Sequence, residues 1–280
     1  MAAVPRHLSR IALHDTGNMT IDREPIRPVV LLGASNLARA FPLVVNGLRA
    51  GLREPLAVLA AFGHGRSYGL WSQMLGRTLP GIVECGLWQA LGKRGADGLP
   101  PFAAVIDIGN DLVYGVSVPQ LLAWTEACLE RLTERRSEIA LMSLPLESIG
   151  RLPPWKFELL RRAYFPMHRI GWPVLYDRVC RFQEDMRRLA TAYGIRLTEP
   201  PAAWYGFDPI HMLRRRQPEV WRELFSRWPG WDPSAQVAYP SLAESMRLRA
   251  LRPAERYLFG YRQLAPQPAL KQDRFTLSMY

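Results

Sequence analysis

Two serines in this sequence stand in contexts typical of a catalytic nucleophile. Ser67 is the central residue of GRSYG (65–69), which matches G-x-S-x-G, a pattern that can form a sharp turn exposing a nucleophilic hydroxyl. Ser35 follows the apolar run PVVLLGA (28–34) and opens a segment with helical periodicity. A serine hydroxyl becomes a useful nucleophile only when a base removes its proton. The choice between the two serines therefore depends on which one the fold places beside a base.

An aspartate and a histidine with suitable spacing occur later in the chain. Asp208 and His211 are three residues apart in DPIH (208–211). A histidine can take the serine proton, and a nearby carboxylate can bind its other ring nitrogen and set its tautomer. The backbone N–H groups of Ser35 and Gly65 and the side-chain amide of Asn110 are candidate donors to an oxyanion. Together these groups predict acyl transfer through a covalent acyl-enzyme.

Alternating strand and helix patterns place the candidate residues at one edge of a sheet. Short apolar runs predict buried strands at 28–33, 55–62, 102–109, 138–144 and 194–200, with helical segments between them, including one or two helices in 67–92. We expect a three-layer αβα fold around a flavodoxin-like parallel five-stranded sheet, order 2-1-3-4-5. The candidate residues follow these strands, at the carboxyl edge where ligands of such sheets bind.

The strand order favours Ser35 over Ser67 as the nucleophile. In α/β-hydrolases the elbow serine follows the fifth strand of an eight-stranded sheet, and an oxyanion loop follows strand three. Only two strands are predicted before Ser67, so no upstream element can supply that loop. Ser35 and Asn110 follow strands one and three, which flank the switch point of the predicted sheet. The loop that holds Ser67 is expected to contribute the Gly65 N–H group instead.

The order of these residues resembles that of SGNH (GDSL-type) hydrolases, an esterase and lipase superfamily. Four motifs carry the resemblance, which runs from about residue 29 to residue 211: Gly33-Ala34-Ser35, the glycine at 65, IGND (108–111) and DPIH (208–211). It implies the SGNH hydrolase fold, a triad of Ser35, His211 and Asp208, and an oxyanion hole formed by Ser35, Gly65 and Asn110. It also implies that neither a metal nor another cofactor is needed.

Two residues beside the serine depart from the family pattern. Ala34 stands where an aspartate is usual, and Asn36 stands where leucine is common. Neither change removes a triad or oxyanion atom. Both predict altered hydrogen bonding around the serine turn.

The sequence divides into a catalytic segment with an extension at each end. We expect an N-terminal extension over 1–27, a catalytic domain over 28–232 and a C-terminal extension over 233–280. Within the domain, 144–172 is basic, aromatic and interrupted by prolines, and it follows the fourth strand on the active-site side. It is either a lid or acyl-substrate groove, or a helical excursion that packs on the sheet.

Five residues are candidate substrate contacts. Trp155, Arg161 and Trp172 belong to the segment 144–172. His64 neighbours the predicted oxyanion glycine and either touches substrate or shapes the turn, and Arg66 is a candidate for binding an anionic group.

Two aspartates near the third strand are expected to be structural. Asp111 is expected to bond the loop backbone after the strand, and Asp107 to be a satisfied polar group of the core.

Composition limits the partners and the compartment. The formal net charge is +11, and most of the positive charge comes from arginine. The basic residues are spread along the chain without an RNP, zinc-finger or homeodomain pattern, so no nucleic-acid partner is expected. Three widely spaced cysteines predict neither a disulfide framework nor a zinc site. Without a signal peptide or an apolar span, the predicted location is cytoplasmic.

The predicted function is therefore a serine hydrolase that cleaves a small-molecule ester or thioester. An anionic or carrier-linked substrate stays open. An acyltransferase using the same triad, or a catalytically idle binding module that keeps the fold, are the alternatives. Water exclusion and acceptor affinity would separate hydrolysis from transfer, and neither is a property of a motif.

Overall fold

The structure, a computed structural model, describes residues 24–94 and 98–280. Its strands are β1 (Arg27–Leu32), β2 (Leu56–Ala61), β3 (Ser72–Met74), β4 (Arg77–Leu79), β5 (Phe102–Val105), β6 (Glu138–Met142), β7 (Leu197–Thr198), β8 (Glu255–Leu258), β9 (Tyr261–Leu264), β10 (Leu270–Gln272) and β11 (Phe275–Met279). Its α-helices are α1 (Ser35–Gly51), α2 (Leu87–Gly92), α3 (Asn110–Val113), α4 (Val118–Thr133), α5 (Leu146–Gly150), α6 (Pro154–Tyr164), α7 (Trp172–Ala192), α8 (Gln217–Phe225) and α9 (Leu242–Arg249).

The main sheet has seven strands in the order β10-β11-β2-β1-β5-β6-β7. Neighbouring strands are parallel, except for the antiparallel pair of β10 and β11. The predicted α/β class with a mainly parallel sheet is confirmed, but the prediction of five strands is wrong. β1, β2, β5, β6 and β7 correspond to the predicted strands and lie side by side. The two added strands come from residues 270–279, where the apolar pattern is too short to indicate a strand by itself.

Helices cover both faces of this sheet and give three layers. Val29 and Leu31 of β1 belong to a core shared with α1, α8 and α9. Val30 and Leu32 belong to a second core, shared with α4 and α7. Successive side chains of a strand point to opposite faces. A strand such as RPVVLL must therefore be apolar at consecutive positions when both faces are buried.

A second, antiparallel sheet has the order β3-β4-β8-β9. The sequence predicts helices over 67–92, whereas the structure has β3 and β4 there, followed by the short helix α2. The chain reverses at Leu75 and Gly76, whose φ angles of 52° and 75° are those of a tight turn. β8 pairs with β4 from more than 170 residues away. Local periodicity cannot indicate such a pairing, which explains the wrong helix prediction.

Of the two segments predicted as extensions, the structure describes the C-terminal one completely and only the end of the N-terminal one. In the segment 233–280, β11 pairs with β2 in the main sheet and α9 packs against α1. The segment is thus part of the same packed body as the main sheet. The predicted N-terminal extension lies outside the described residues up to residue 23, and β1 begins at Arg27.

Across the described ranges, none of the helices combines the length and apolarity that a membrane crossing requires. These ranges also hold no group of three or more His, Cys, Asp or Glu residues placed to bind a metal ion. Cys85, Cys128 and Cys180 are free thiols.

Candidate active site

Ser35, His211 and Asp208 form one hydrogen-bonded chain. Ser35 is the first residue of α1, and its Oγ lies 2.9 Å from His211 Nε2. His211 Nδ1 lies 2.5 Å from Asp208 Oδ2. The side chains of His211 and Asp208 are only 12% and 21% exposed, so solvent screens the pair weakly. The sequence motifs, 176 residues apart, therefore meet at hydrogen-bonding distance.

The Asp208 carboxylate is held in its ionised form. Burial of Asp208 favours the neutral acid and would raise its pKa. The opposing effects are larger and hold the pKa of Asp208 below its usual value: they come from the hydrogen bond and charge of His211, the Ile210 N–H group and the Tyr164 hydroxyl. Its Oδ1 accepts hydrogen bonds from the N–H groups of Ile210 at 3.1 Å and His211 at 3.2 Å. An ionised carboxylate on Nδ1 keeps a proton there and leaves Nε2 free to accept the Ser35 proton.

Tyr164 contacts both Asp208 and His211, a role that is not predicted from the sequence. Its hydroxyl donates to Asp208 Oδ2 at 2.8 Å, and its ring lies edge-on to the His211 ring, with centroids 5.3 Å apart and an interplanar angle of 85°. The side chain comes from the end of α6, within the predicted lid segment. α6 thus touches both the base and its carboxylate partner.

Asp107 fixes the backbone of the serine turn. Its Oδ2 accepts hydrogen bonds from the N–H groups of Ala34 at 2.9 Å, Asn36 at 2.9 Å and Leu37 at 3.1 Å. These are orphan donors at the start of α1, so Asp107 caps the helix from a distant position in the chain. The intervening N–H group, that of Ser35, has no acceptor in the described parts of the chain. It is available to an oxyanion and benefits from the helix dipole.

Asn36 connects the serine turn to the histidine loop. Its Nδ2 donates to Asp107 Oδ1 at 2.7 Å and to the Ile210 carbonyl at 2.9 Å, and its Oδ1 accepts from the Met212 N–H group at 2.8 Å. Ala34 and Asn36 predict altered hydrogen bonding at the serine turn. In the structure, the side chains of Asp107 and Asn36 make the hydrogen bonds of this turn. The sequence predicts Asp107 as a satisfied polar group of the core. The hydrogen-bonding capacity of Asp107 is indeed satisfied, and its donors belong to the serine turn.

The two further oxyanion candidates lie next to each other. Asn110 is the first residue of α3. Its Nδ2 donates a long hydrogen bond of 3.3 Å to the carbonyl of Arg66, the residue after Gly65, so the Asn110 amide lies beside the Gly65 loop. Gly65 has a φ of 65°, and a Cβ there would lie 2.8 Å from Met74 Cε and 2.9 Å from the Tyr114 hydroxyl oxygen. The positive φ favours glycine, and a Cβ would displace the side-chain ends of Met74 and Tyr114.

Ser67 does not reach the triad. Its side chain is fully buried, and its Oγ donates to Asp111 while accepting from the N–H groups of Gly69 at 3.1 Å and Leu70 at 2.7 Å. Asp111 also accepts from the Tyr68 N–H group at 3.0 Å, which matches its predicted structural role. Burial raises the pKa of Asp111 to about 6, against the hydrogen bonds from Ser67 and Tyr68. This pair shapes the loop and holds no free nucleophile.

The prediction that Arg66 binds an anionic group is wrong. Its side chain is fully buried, and its guanidinium donates to the carbonyls of Pro80 at 3.1 Å, Phe62 at 3.3 Å and Tyr280. The loop packs around the arginine, and its Nε and Nη1 groups donate within the core, while Nη2 is buried without a partner among the described residues. A buried guanidinium of this kind is not accessible to a substrate. His64, by contrast, is exposed.

An apolar cavity of about 120 Å³ opens beside Ser35. Ser35 and Asn110 lie on its wall, and α5, α6 and α7 contribute further lining side chains, including Ile149, Phe157 and Trp172. Of the predicted substrate contacts, Trp172 and Arg161 line the cavity. The Arg161 guanidinium is engaged by Glu158 at 2.9 Å and by the His168 carbonyl.

Trp155 does not contribute to this cavity. Its side chain is 66% exposed and is absent from the cavity wall, so the prediction that it contacts substrate beside the serine is wrong. It occupies the first turn of α6 and points away from the face that carries Phe157 and Arg161.

Fold and site together describe a three-layer α/β protein with a Ser-His-Asp array at the carboxyl edge of its sheet. No family model matches the chain, and no curated relative matches it. Among solved structures, the chain is similar to TesA, at 14% identity and a TM-score of 0.43, over 72% of this chain and 97% of TesA. It is also similar to the psychrotrophic esterase EstA from Pseudoalteromonas sp., inhibited by monoethylphosphonate, at 14% identity and a TM-score of 0.42, over 72% of this chain and 96% of EstA. These likenesses are too low to assign a function, which has to rest on the site of this chain.

Proposed function

We propose that this protein is an SGNH-type serine hydrolase that cleaves an ester or thioester of a small molecule. The observation that carries the proposal is the hydrogen-bonded chain from Ser35 Oγ through His211 to Asp208, with separations of 2.9 and 2.5 Å. A nucleophile, a base within reach of it and a carboxylate that orients the base are what acyl transfer requires.

The proposed reaction has two halves. Ser35 Oγ attacks the acyl carbon while its proton passes to His211 Nε2, and the oxyanion accepts hydrogen bonds from the Ser35 and Gly65 N–H groups and the Asn110 amide. His211 then protonates the leaving alcohol or thiol as its bond to the acyl carbon breaks. Water attacks the acyl-enzyme in the second half, giving one proton to His211, which returns it to Ser35 as the acid departs. Asp208 stays ionised throughout and stabilises the imidazolium.

The cavity indicates where the acyl chain would bind. Its wall includes Ser35 and is mainly apolar, with Leu144, Ile149, Leu152 and Phe157 among the lining side chains. Burying a methylene group of an acyl chain there is worth about 0.8 kcal/mol. The segment 144–172 therefore acts, in this proposal, as an acyl-binding groove and not only as an excursion that packs on the sheet.

Labelling with a fluorophosphonate probe tests the proposal, because the probe phosphonylates only an activated serine. We expect the wild type and Ser67→Ala to react and to hydrolyse p-nitrophenyl acetate, and Ser35→Ala to do neither, with circular dichroism checking that each variant is folded. Labelling that persists in Ser35→Ala and disappears in folded Ser67→Ala would overturn the assignment of the nucleophile. No labelling of the wild type would instead favour a catalytically idle binding module.

A further inference from the structure

Three arginines from three different elements approach the mouth of the proposed active site. Arg39 lies one helical turn after Ser35 on α1, and helical side chains lean toward the N-terminus, which brings Arg39 toward the serine. Arg249, at the end of α9, donates from Nη2 to the Arg39 carbonyl at 3.2 Å. Arg77 of β4 reaches the next loop, where its Nη2 lies 3.3 Å from the position that a Cβ would take on Gly63.

Among the residues that the structure describes, these guanidinium groups have no acidic partner. Within residues 24–94 and 98–280, no carboxylate oxygen lies within 4.0 Å of the side chains of Arg39, Arg77 or Arg249. Elsewhere on the same two helices, Arg49 and Arg247 share one acidic partner, Glu244. Positive charge is therefore left uncompensated beside the site.

A fourth arginine adds to this charge. Arg77 of β4 is paired with Leu258 of β8, and Arg256 is two residues before Leu258, so Arg256 and Arg77 share a face of the second sheet. The Arg256 Nε donates to Gln263 at 2.8 Å, a neutral partner that leaves its charge in place. The second sheet thus places a second cation close enough to act on Arg77.

The charge also acts on His64 itself. The pKa of His64 is held below its usual value. The largest cause is desolvation of the ring, followed in decreasing order by the charges of Arg77, His211, Arg39 and Arg249. Arg77, Arg39 and Arg249 lie within electrostatic range of His64, whose side chain is accessible although its ring is partly desolvated. An anion entering this region would relieve their mutual repulsion.

We propose that Arg39, Arg77 and Arg249, with His64, bind a phosphate group on the leaving-group half of the substrate. This inference rests on the proposed hydrolase function. A guanidinium suits a phosphate because it offers paired donors in a planar fork. The apolar cavity takes the acyl half, and none of these four residues lines it. The anionic group therefore occupies the other end of the ester, outside the cavity.

A pair of esters that differ only in the phosphate tests this proposal. Both 1-butyrylglycerol 3-phosphate and 1-butyrylglycerol carry the same short acyl group and the same ester bond. We expect the wild type to hydrolyse the phosphorylated ester with a kcat/KM at least about 10-fold higher at low salt, a preference that falls as salt rises. In Arg39→Gln and Arg77→Gln this ratio should fall about 5-fold or more, and Arg39→Lys should retain part of it.

The matched control is Arg196→Gln. Arg196 is exposed and directly precedes β7, at the amino end of a parallel strand and thus at the edge of the sheet opposite the site. The ratio should stay at its wild-type value in this variant. A wild-type ratio near one, or an equal fall of the ratio in Arg196→Gln, would overturn the phosphate site.

Failure of the phosphate site can be told apart from failure of the hydrolase. Hydrolysis of both esters at equal kcat/KM would reject the phosphate site and leave the hydrolase standing. If neither ester is hydrolysed, calorimetry with 1-butyrylglycerol 3-phosphate decides. Binding by the wild type that Arg39→Gln weakens would uphold the anion site without hydrolysis of these esters. No binding would reject the phosphate site, and fluorophosphonate labelling of Ser35 would then decide on the hydrolase independently.

Discussion

Asp107 Oδ1 accepts a hydrogen bond of 2.7 Å from Asn36 Nδ2, which joins the end of the central sheet to the turn that carries Ser35. The other carboxylate oxygen of Asp107 binds three backbone N–H groups of the same turn. Asp107 itself has a φ of 60°, a left-handed conformation that costs a non-glycine residue about 1 kcal/mol or more. The hydrogen bonds to the serine turn compensate for this strain.

Replacing Asp107 should lower turnover more than substrate binding. In Asp107→Asn the amide can offer only one acceptor oxygen, and its NH₂ group would face either the N–H donors of the turn or the Asn36 amide. The turn would shift, and Ser35 Oγ would lose its hydrogen-bonding geometry with His211 Nε2. We therefore expect kcat to fall about 100-fold and KM to stay within about 3-fold of the wild-type value. Steady-state kinetics on p-nitrophenyl acetate measure both constants.

The control for this prediction is Asp177→Asn, which removes an exposed carboxylate paired with Arg181 on α7. It should leave both constants unchanged. If Asp107→Asn folds and keeps wild-type kcat, Asp107 does not position the nucleophile.

Gly65→Ala should damage the oxyanion hole more than backbone strain alone would. A Cβ at this position would come within 2.9 Å of both Met74 Cε and the Tyr114 hydroxyl oxygen. Because that hydroxyl donates to the Gly65 carbonyl, displacing it breaks a contact that holds the loop, and we expect the Gly65 N–H group to shift. Loss of one oxyanion donor costs about 100-fold in kcat. Gly115→Ala is the matched control, because Gly115 also has a positive φ, of 91°, but no atom lies within 4 Å of its Cβ position. Similar activity of the two variants would contradict a role for the Gly65 N–H group.

Filling the apolar cavity should shorten the preferred acyl chain. Val179 of α7 lines the cavity and is 5% exposed, so Val179→Phe would place a ring in the space assigned to the acyl chain. We expect kcat/KM for p-nitrophenyl hexanoate to fall about 10-fold or more relative to the acetate. Val174→Phe, at a position on α7 that is 51% exposed and outside the cavity, should keep the wild-type preference. An unchanged hexanoate-to-acetate ratio in Val179→Phe would place the acyl chain elsewhere.

Asp111 should make the protein less stable as pH rises from about 4 to about 6. Burial raises its pKa from 3.8 to about 6, so in this window the folded state binds more protons than the unfolded state, and the free energy of unfolding decreases with pH. The full effect is about 3 kcal/mol at most. Asp111→Asn removes the titrating group and should flatten the dependence. Urea unfolding between pH 4 and pH 7 measures it, and parallel curves for both proteins would refute the prediction.

Much of the candidate site could be predicted because its residues follow strands that the local pattern indicates. Continuous apolar runs such as those of β1 and β2 mark strands buried on both faces, and parallel strands bring their carboxyl ends to one edge. Ser35, Asp208 and His211 could therefore be brought together from chain order and spacing alone. The distances that make them a hydrogen-bonded chain come from the structure.

Contacts between segments that are far apart in sequence decided the rest. Arg66 and His64 are two residues apart in one loop, yet packing buries the first completely and exposes the second. Asp107 is an ordinary polar residue in the sequence, and only the approach of α1 gives its carboxylate the N–H groups of the serine turn. The pairing of β11 with β2 likewise depends on a partner more than 200 residues away. Which chemical groups stand at the strand ends follows from the local sequence, because strand periodicity is a local property. Which of them face the site was decided by tertiary packing, because side-chain burial and long-range hydrogen bonds exist only once the layers meet.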